Sequence, residues 1–552
     1  LPAPPRPPPP TPPPPHSPPP PPPPPTLRAW AAVASLASMA CLSAAALGLW
    51  VGGAGPRASP PAMLLERTRL PAKPLTAGPP ADKWNEDIRR SWQSAYRSAS
   101  EADYEIEEVE GRIPRSLSGT LFRNGPGNFE RGGDRFQHVL DGDGLVTRFC
   151  IDGERGRAHF RSRFVRTPSF EAEAAADKVL FRNTFGTQPD GWLANVGRMA
   201  VKNVANTNIK VWGGRAFALW EAGLPCRLNP STLDFEDFER LNGTLASGFA
   251  AMTTGFPAID SLLGVGQAFT AHPREDMRRG TLVGWSWATH ISLGSLDAKI
   301  FELDATTGVL RSITEMSLPS PLAPHDFIVT DSWYVFCVNA MKLNPFPFVM
   351  GFCGPVEALQ TTGEGVVLHL VPRPGGVAEG RRPVTVRTDH SIFAIHHATG
   401  FEDPPEADGS QRLTLFTAAW PDVRPGPFLG DWGGAFPIYD DGRIKPTQLM
   451  RTTVDIGPPG ADGAMETTAV RETVLGGACI DHPHVDPRFD GDSRCRYTYQ
   501  TWSNGLFDGE GESISGSPPI GWCRYDRITG CAERWGAPGG CLCEERLIRS
   551  IA

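Results

Sequence analysis

An all-β architecture, with a β-propeller preferred over a sandwich or barrel, follows from three features of this 552-residue chain. From about Tyr104 onward, short runs of β-branched and aromatic residues such as "GLVTRFCIDG", "TLVGWSWATHISLG" and "SWYVFCVNAM" alternate with Gly, Asp, Asn and Pro clusters. Sustained 3.6-residue periodicity is almost absent over the same region, which argues against layers of helix. The length accommodates many strands, and radial repetition leaves few of them with exposed edges. No sequence repeat marks individual blades, so strand texture alone does not count them.

The chain divides into four regions. Residues 1–28 are a proline-rich, low-complexity stretch that favours solvated polyproline II and cannot build a core. Residues 29–51, "AWAAVASLASMACLSAAALGLWV", carry no charge and are long enough to cross a bilayer, which takes about 20 apolar residues. Their Ala and Ser content is equally that of a cleaved targeting segment. Residues 52–103 read as a linker with one amphipathic helix, because Trp84, Ile88, Trp92 and Tyr96 recur at helical spacing. That helix is expected on the domain surface, with a membrane-lying role as the alternative. Residues 104–552 form the propeller.

Composition narrows the chemistry. Acidic residues outnumber basic ones, 61 to 53, for a net charge of −8, and no clustered basic face points to nucleic acid. The eleven cysteines are scattered without a CxxC pair, which favours free or buried thiols over disulfides or a zinc site.

Histidine is scarce enough to weigh one residue at a time. His272 in "FTAHPRED", His325 in "LAPHDFIVT" and His396 in "SIFAIHHATGFED" share one setting, an imidazole at a short apolar strand with Pro or Gly nearby. They stand 53 and 71 residues apart, too far for a finger-type site but suited to one ligand from each of several blades meeting on an axis. An all-imidazole set suits Fe, Zn, Cu or Ni and disfavours Mg or Ca. Ligating imidazoles want a carboxylate or carbonyl on the outer N–H, and Glu221, directly after "FALW", is a candidate partner or else a strand-end surface residue.

"GTLFRNGPGNFERGGDRFQHVLDGDGLVTRF" (119–149), "KNVANTNIKVWGGRAFALWEAGLP" (202–225), "FTAHPRED", "PHDFIVT", "IHHATGFED" and "HPHVDPRF" (482–489) together resemble the carotenoid cleavage oxygenases, in order from about residue 104 to about 548. That family includes carotenoid dioxygenases and the retinoid isomerohydrolase of the eye. The resemblance implies a seven-bladed propeller holding one Fe(2+) per chain on four axial histidines, three of them backed by acids. It places ligands at His272, His325 and His396, with His397 facing away, and backing acids at Glu221 for His325 and Asp481 for His396. Asp481 stands where the family has Glu in "EFPRVDPRF", so its contact with His396 is expected to run through water. His482 and His484 are expected in surface or core roles. Glu545 is the candidate third acid. The family's closing "FHG" histidine has no counterpart before Ala552, so three ligands are expected here and the last blade is expected to be incomplete.

The activity implied is oxidative cleavage of a conjugated double bond in a carotenoid or apocarotenoid, with O2 as co-substrate. Isomerohydrolysis or stilbene cleavage on the same frame, and carotenoid binding without cleavage, are the alternatives. The apolar loop "MKLNPFPFVMGFCGPVEAL" (341–359) is either core packing or a membrane-docking patch at the substrate entrance. A plastid location follows from the substrate class and the Ala-rich, acid-poor N-terminal region. "DGDG" (141–144) lacks the remaining ligands of a calcium loop and is expected to be a tight β-turn.

Overall fold

A computed structural model describes residues 97–109, 111–246, 266–290, 295–320, 322–421, 447–476, 479–503 and 521–536, together with five short strands. The proline-rich segment, the 29–51 apolar segment, the helix expected around Trp84–Tyr96, and Glu545 lie outside the described residues. Among the described residues no helix is long and apolar enough to cross a membrane.

The described chain is an all-β propeller with few helices, and it shows six principal sheets. The first orders Ala102–Ile106, Arg157–Phe164, Asp143–Asp152 and Ser118–Asn128; the second is a meander from Asn208–Trp212 to Phe235–Phe238. The third is built on Thr281–His290, Ser295–Asp304 and Leu310–Leu318, with Ala268–Phe269 and Arg274–Asp276 both paired to its first long strand. The fourth runs from Phe327–Val329 to Val384–Arg387, the fifth from Phe393–Glu402 to Thr467–Leu475. The sixth runs from Cys479–His484 to Cys531–Gly536, and the strand Glu66–Thr68 pairs antiparallel with its last member.

Burial follows position within a blade. Trp333–Val338, enclosed between neighbouring sheets, is apolar and buried at every residue. Outer strands alternate instead: Leu310–Leu318 switches between half-buried and exposed residues with period two, as a half-covered pleated strand must. The apolar clusters lie between consecutive sheets: Val146 and Phe122 against Ala216 and Leu228, Leu219 and Phe217 against Phe269 and Phe301, Trp285 and Ile300 against Phe327 and Phe336, Trp333 and Val335 against Leu413 and Val454, and Phe416 and Leu449 against Ile480 and Tyr525. Each large side chain so enclosed contributes about 1.5–3 kcal/mol, so the blades are held sideways by their neighbours. Arg373, fully buried, adds a polar tie between the third and fourth sheets: it donates to Asp276 (2.8 Å), Glu302 (2.6 Å) and the Thr330 carbonyl (2.7 Å).

Two expectations are corrected. Six principal sheets, not seven, are present among the described residues. The segment after Gly536 lies outside them, and Glu66–Thr68 adds a strand to the sixth sheet. "DGDG" is not a tight turn. Val139–Asp141 forms a short 3-10 turn that leads directly into the strand Asp143–Asp152. Asp141 is buried and accepts backbone N–H bonds from Phe185 (2.9 Å) and Thr187 (3.0 Å), and burial pushes its carboxyl up to about 6. Asp143 pairs with Lys202 (2.7 Å) and Arg131 (3.0 Å). Gly144 is required by close approach, since a Cβ there would stand 2.2 Å from the Ala205 carbonyl oxygen.

Candidate metal centre

Four successive sheets each deliver one residue of the site from their first strand or the loop leading into it. His272 sits in the break between Ala268–Phe269 and Arg274–Asp276, its N–H bonded to the Thr270 hydroxyl (3.1 Å). His325 immediately precedes Phe327–Val329, His396 lies within Phe393–Glu402, and Asp481 lies within Cys479–His484. Glu221 follows the strand Arg215–Leu219 of the second sheet.

The three imidazoles converge. His325 Nε2 lies 2.9 Å from His272 Nε2 and 3.2 Å from His396 Nε2, and potential ligand atoms of all three fall within 4.8 Å of one another. Ring centroids are 4.5, 4.9 and 5.0 Å apart. The outer nitrogens face acids: His325 Nδ1 contacts Glu221 Oε2, and His396 Nδ1 contacts Asp481 Oδ1 at 2.6 Å. A carboxylate can only accept, so in both rings the proton belongs on Nδ1 and the Nε2 lone pair points inward. Lone pairs brought this close repel one another unless a cation lies between them, so the donor set fits a transition-metal ion that takes imidazole.

The electrostatics agree with paired acids and imidazoles. Burial alone would lower His325, yet the Glu221 charge and hydrogen bond outweigh it and raise its pKa. Glu221 and Asp481 are correspondingly held below the usual carboxylate range, as the charges of His325 and His396 overcome the burial that would raise them. His272 has no described acid; burial and the neighbouring imidazoles push it well down.

Beneath the imidazoles lies a brace that sequence reasoning missed. Arg274 donates to Asp326, to the His397 carbonyl (2.7 Å) and to the Phe327 carbonyl (2.9 Å). Each partner adjoins a cluster histidine or its strand, so one guanidinium fixes the relative positions of three blades where the imidazoles meet. The signal was present in the motifs, since "AHPR", "HD" and "HH" each set a brace residue within two positions of a cluster histidine.

His397 turns away from the cluster, with Nδ1 2.9 Å from the Thr417 hydroxyl and its N–H bonded to Asp326. Its strand is irregular in register on both sides of the pair, between Ala394 and His396 and again between His397 and Thr399. One expectation for the sixth sheet needs correcting. The Asp481 contact is direct rather than through water. His482, expected in a surface or core role, stands with its ring centroid 4.7 Å from that of His396. His484 does lie apart, against Tyr499 and Trp522. A cavity of about 660 Å³ opens beside the cluster, lined by His272, His396, His482, Lys210 and Tyr499 among others.

The loop after Met341 is mixed. Asn344 caps the short helix Pro345–Val349 and Phe348 is buried, but Phe346 and Phe352 are exposed. Trp192 and Leu193, from the 3-10 turn Trp192–Ala194, are exposed beside them, with the Trp192 ring 5.5 Å from that of Phe352.

A propeller that aims three imidazoles at one point, two of them backed by acids, defines a scaffold suited to a non-haem metal oxygenase. The retinal pigment epithelial membrane protein family model matches residues 96–547. Apocarotenoid-15,15'-oxygenase from Synechocystis is 35% identical over 417 residues, covering 74% of this chain and 76% of that protein. The chain therefore belongs to the carotenoid cleavage oxygenase family. Carotenoid cleavage dioxygenase 7, chloroplastic, from Arabidopsis thaliana is 27% identical over 369 residues, covering 60% of this chain and 59% of that one. Lignostilbene-alpha,beta-dioxygenase isozyme III from Sphingomonas paucimobilis is 29% identical over 70% of this chain and 69% of its own length. Among solved structures, the cobalt-substituted Synechocystis enzyme superposes with a TM-score of 0.65 at 31% identity, covering 81% of this chain and 84% of that one.

Proposed function

We propose that this chain is an Fe(II)-dependent oxygenase that cleaves one conjugated double bond of a carotenoid or apocarotenoid with O2. One C=C bond is lost, two C=O bonds form, and each carbonyl takes one atom of O2. The observation that carries the reading is the convergence of three Nε2 atoms, with the outer nitrogens of His325 and His396 facing acids. His272, His325 and His396 would hold the metal, while Glu221 and Asp481 keep two of the rings in the ligating tautomer. When bound, iron would supply the O2 chemistry. The protein's own task is orientation: a rigid polyene has few conformers to lose, so the shape of the cavity beside the cluster would select the bond presented to the metal.

The relatives named for carotenoid and apocarotenoid cleavage support this substrate class, and the relative named for lignostilbene supports a second reading on the same site. We also propose that the patch of Trp192, Leu193, Phe346 and Phe352 rests on a membrane, where a lipid-soluble substrate resides. A plastid location is supported by the relatives named as chloroplastic.

The test is a paired incubation of iron-loaded protein with an apocarotenal and with a hydroxystilbene, under 18O2 and under argon. Labelled aldehyde from the apocarotenal, absent under argon, is the expected result. Cleavage of the stilbene alone would move the assignment to the second reading. Product formed equally under argon would overturn the oxygenase reading.

A further inference from the structure

We propose that His482 is a fourth imidazole of the metal centre, supplied by the strand that also supplies Asp481. The inference rests on the metal-binding reading above and extends it to a residue that sequence reasoning set aside.

In a regular strand, adjacent side chains point to opposite faces, so Asp481 and His482 should not both reach the site. Here they do. The register of Cys479–His484 against its neighbour breaks between Asp481 and His484. Within that break His482 adopts the left-handed backbone, with φ of 49°, a conformation uncommon for any residue bearing a Cβ. The turn leaves the Asp481 carboxylate on His396 Nδ1 and brings the His482 imidazole alongside the His396 ring. The Asp481 carboxylate fixes the bend, accepting the His482 N–H at 2.7 Å.

The spacing from His482 to His396 is one found within the cluster. His482 and His396 have ring centroids 4.7 Å apart, inside the 4.5–5.0 Å range that separates the other three rings. Potential ligand atoms of His396, Asp481 and His482 lie within 4.8 Å of one another. The His482 side chain is exposed, but its exposure is to the cavity that His272 and His396 also line. A left-handed backbone at a residue bearing a Cβ is costly, and here it holds the His482 imidazole against one ring of the cluster.

The experiment loads the full chain with cobalt(II), whose visible bands report ligand number and geometry, and measures affinity by competition with a chelator. His482→Asn tolerates the left-handed backbone and removes the imidazole; it should lose about ten-fold or more in affinity and change the cobalt spectrum. His482→Gly suits the same backbone, and added imidazole should restore the wild-type spectrum, which a purely structural role would not produce. His484→Asn should change neither quantity. Wild-type affinity and spectrum in both His482 variants would overturn the proposal. His325→Ala separates the two readings: if it too keeps cobalt, the metal centre itself falls, whereas cobalt lost in His325→Ala and kept in His482→Asn refutes only the role of His482.

Discussion

Asp481 Oδ1 lies 2.6 Å from His396 Nδ1, a direct charge-assisted contact made by an acid one methylene shorter than the family's glutamate. The register of its strand breaks immediately after Asp481. Asp481→Asn keeps the size but loses the charge, and its amide can donate to Nδ1 and so favour the wrong tautomer. We expect metal affinity to fall about 10–100-fold, the range for loss of such a partner, with little change in fold. Chelator competition measures the first and circular dichroism the second. An unchanged affinity would mean that Asp481 does not orient a ligand.

Glu221 sets the pH at which protons compete with metal. Its charge raises the His325 pKa above the ordinary 6.5, against the burial that would lower it. The protonated ring cannot ligate, so apparent metal affinity should be flat at high pH and decline as pH falls through the raised value. Glu221→Gln removes the charge. Its affinity should be lower throughout, and its decline should begin at a lower pH than in wild type. Coincident break points in plots of log Kd against pH would show that the Glu221 charge does not act on this imidazole.

How much of this was legible in the sequence differs from feature to feature. His272, His325, His396 and Glu221 could be read because each lies in a short local motif. The all-β texture was legible for the same reason, as period-two alternation and turn residues are short-range signals. The number of sheets was not, because it depends on which distant strands pair: Glu66–Thr68 joins Cys531–Gly536 across almost the whole chain. The reach of Asp481 and the placement of His482 were hidden by a local break in register, which reverses the facing that alternation predicts. Trp192 and Leu193 sit in a three-residue 3-10 turn that has no periodicity to betray them.

That missed turn matters for the membrane reading. Phe346 is 65% exposed and Leu193 74%, on segments joined by a hydrogen bond from the Gly197 N–H to the Val349 carbonyl at 2.8 Å. Burying one such side chain in the interfacial region contributes about 1.5–3 kcal/mol, or about ten-fold or more in partitioning. Phe346→Ser and Leu193→Ser should each weaken sedimentation with neutral phosphatidylcholine vesicles by about that factor, while cobalt affinity stays at the wild-type value. Equal vesicle binding by the double variant would assign the patch to another role.

Glu402 ends the strand that carries His396, and burial, with Asp331 nearby, pushes its carboxyl from 4.5 up to about 7. The sign follows from linkage. Between those two values the unfolded chain has released this proton and the folded one still holds it, so folding must take up a proton. The cost grows as pH rises through that window and levels off above 7, reaching at most about 3 kcal/mol at 1.36 kcal/mol per pKa unit. Glu402→Gln retains a neutral hydrogen-bonding group in the same space, facing Gln411, and carries no such cost. The variant should match wild type in urea denaturation near pH 5 and exceed it in stability near pH 8. Parallel stability curves for the two proteins from pH 5 to 8 would show that this carboxyl titrates as freely in the folded chain as in the unfolded one.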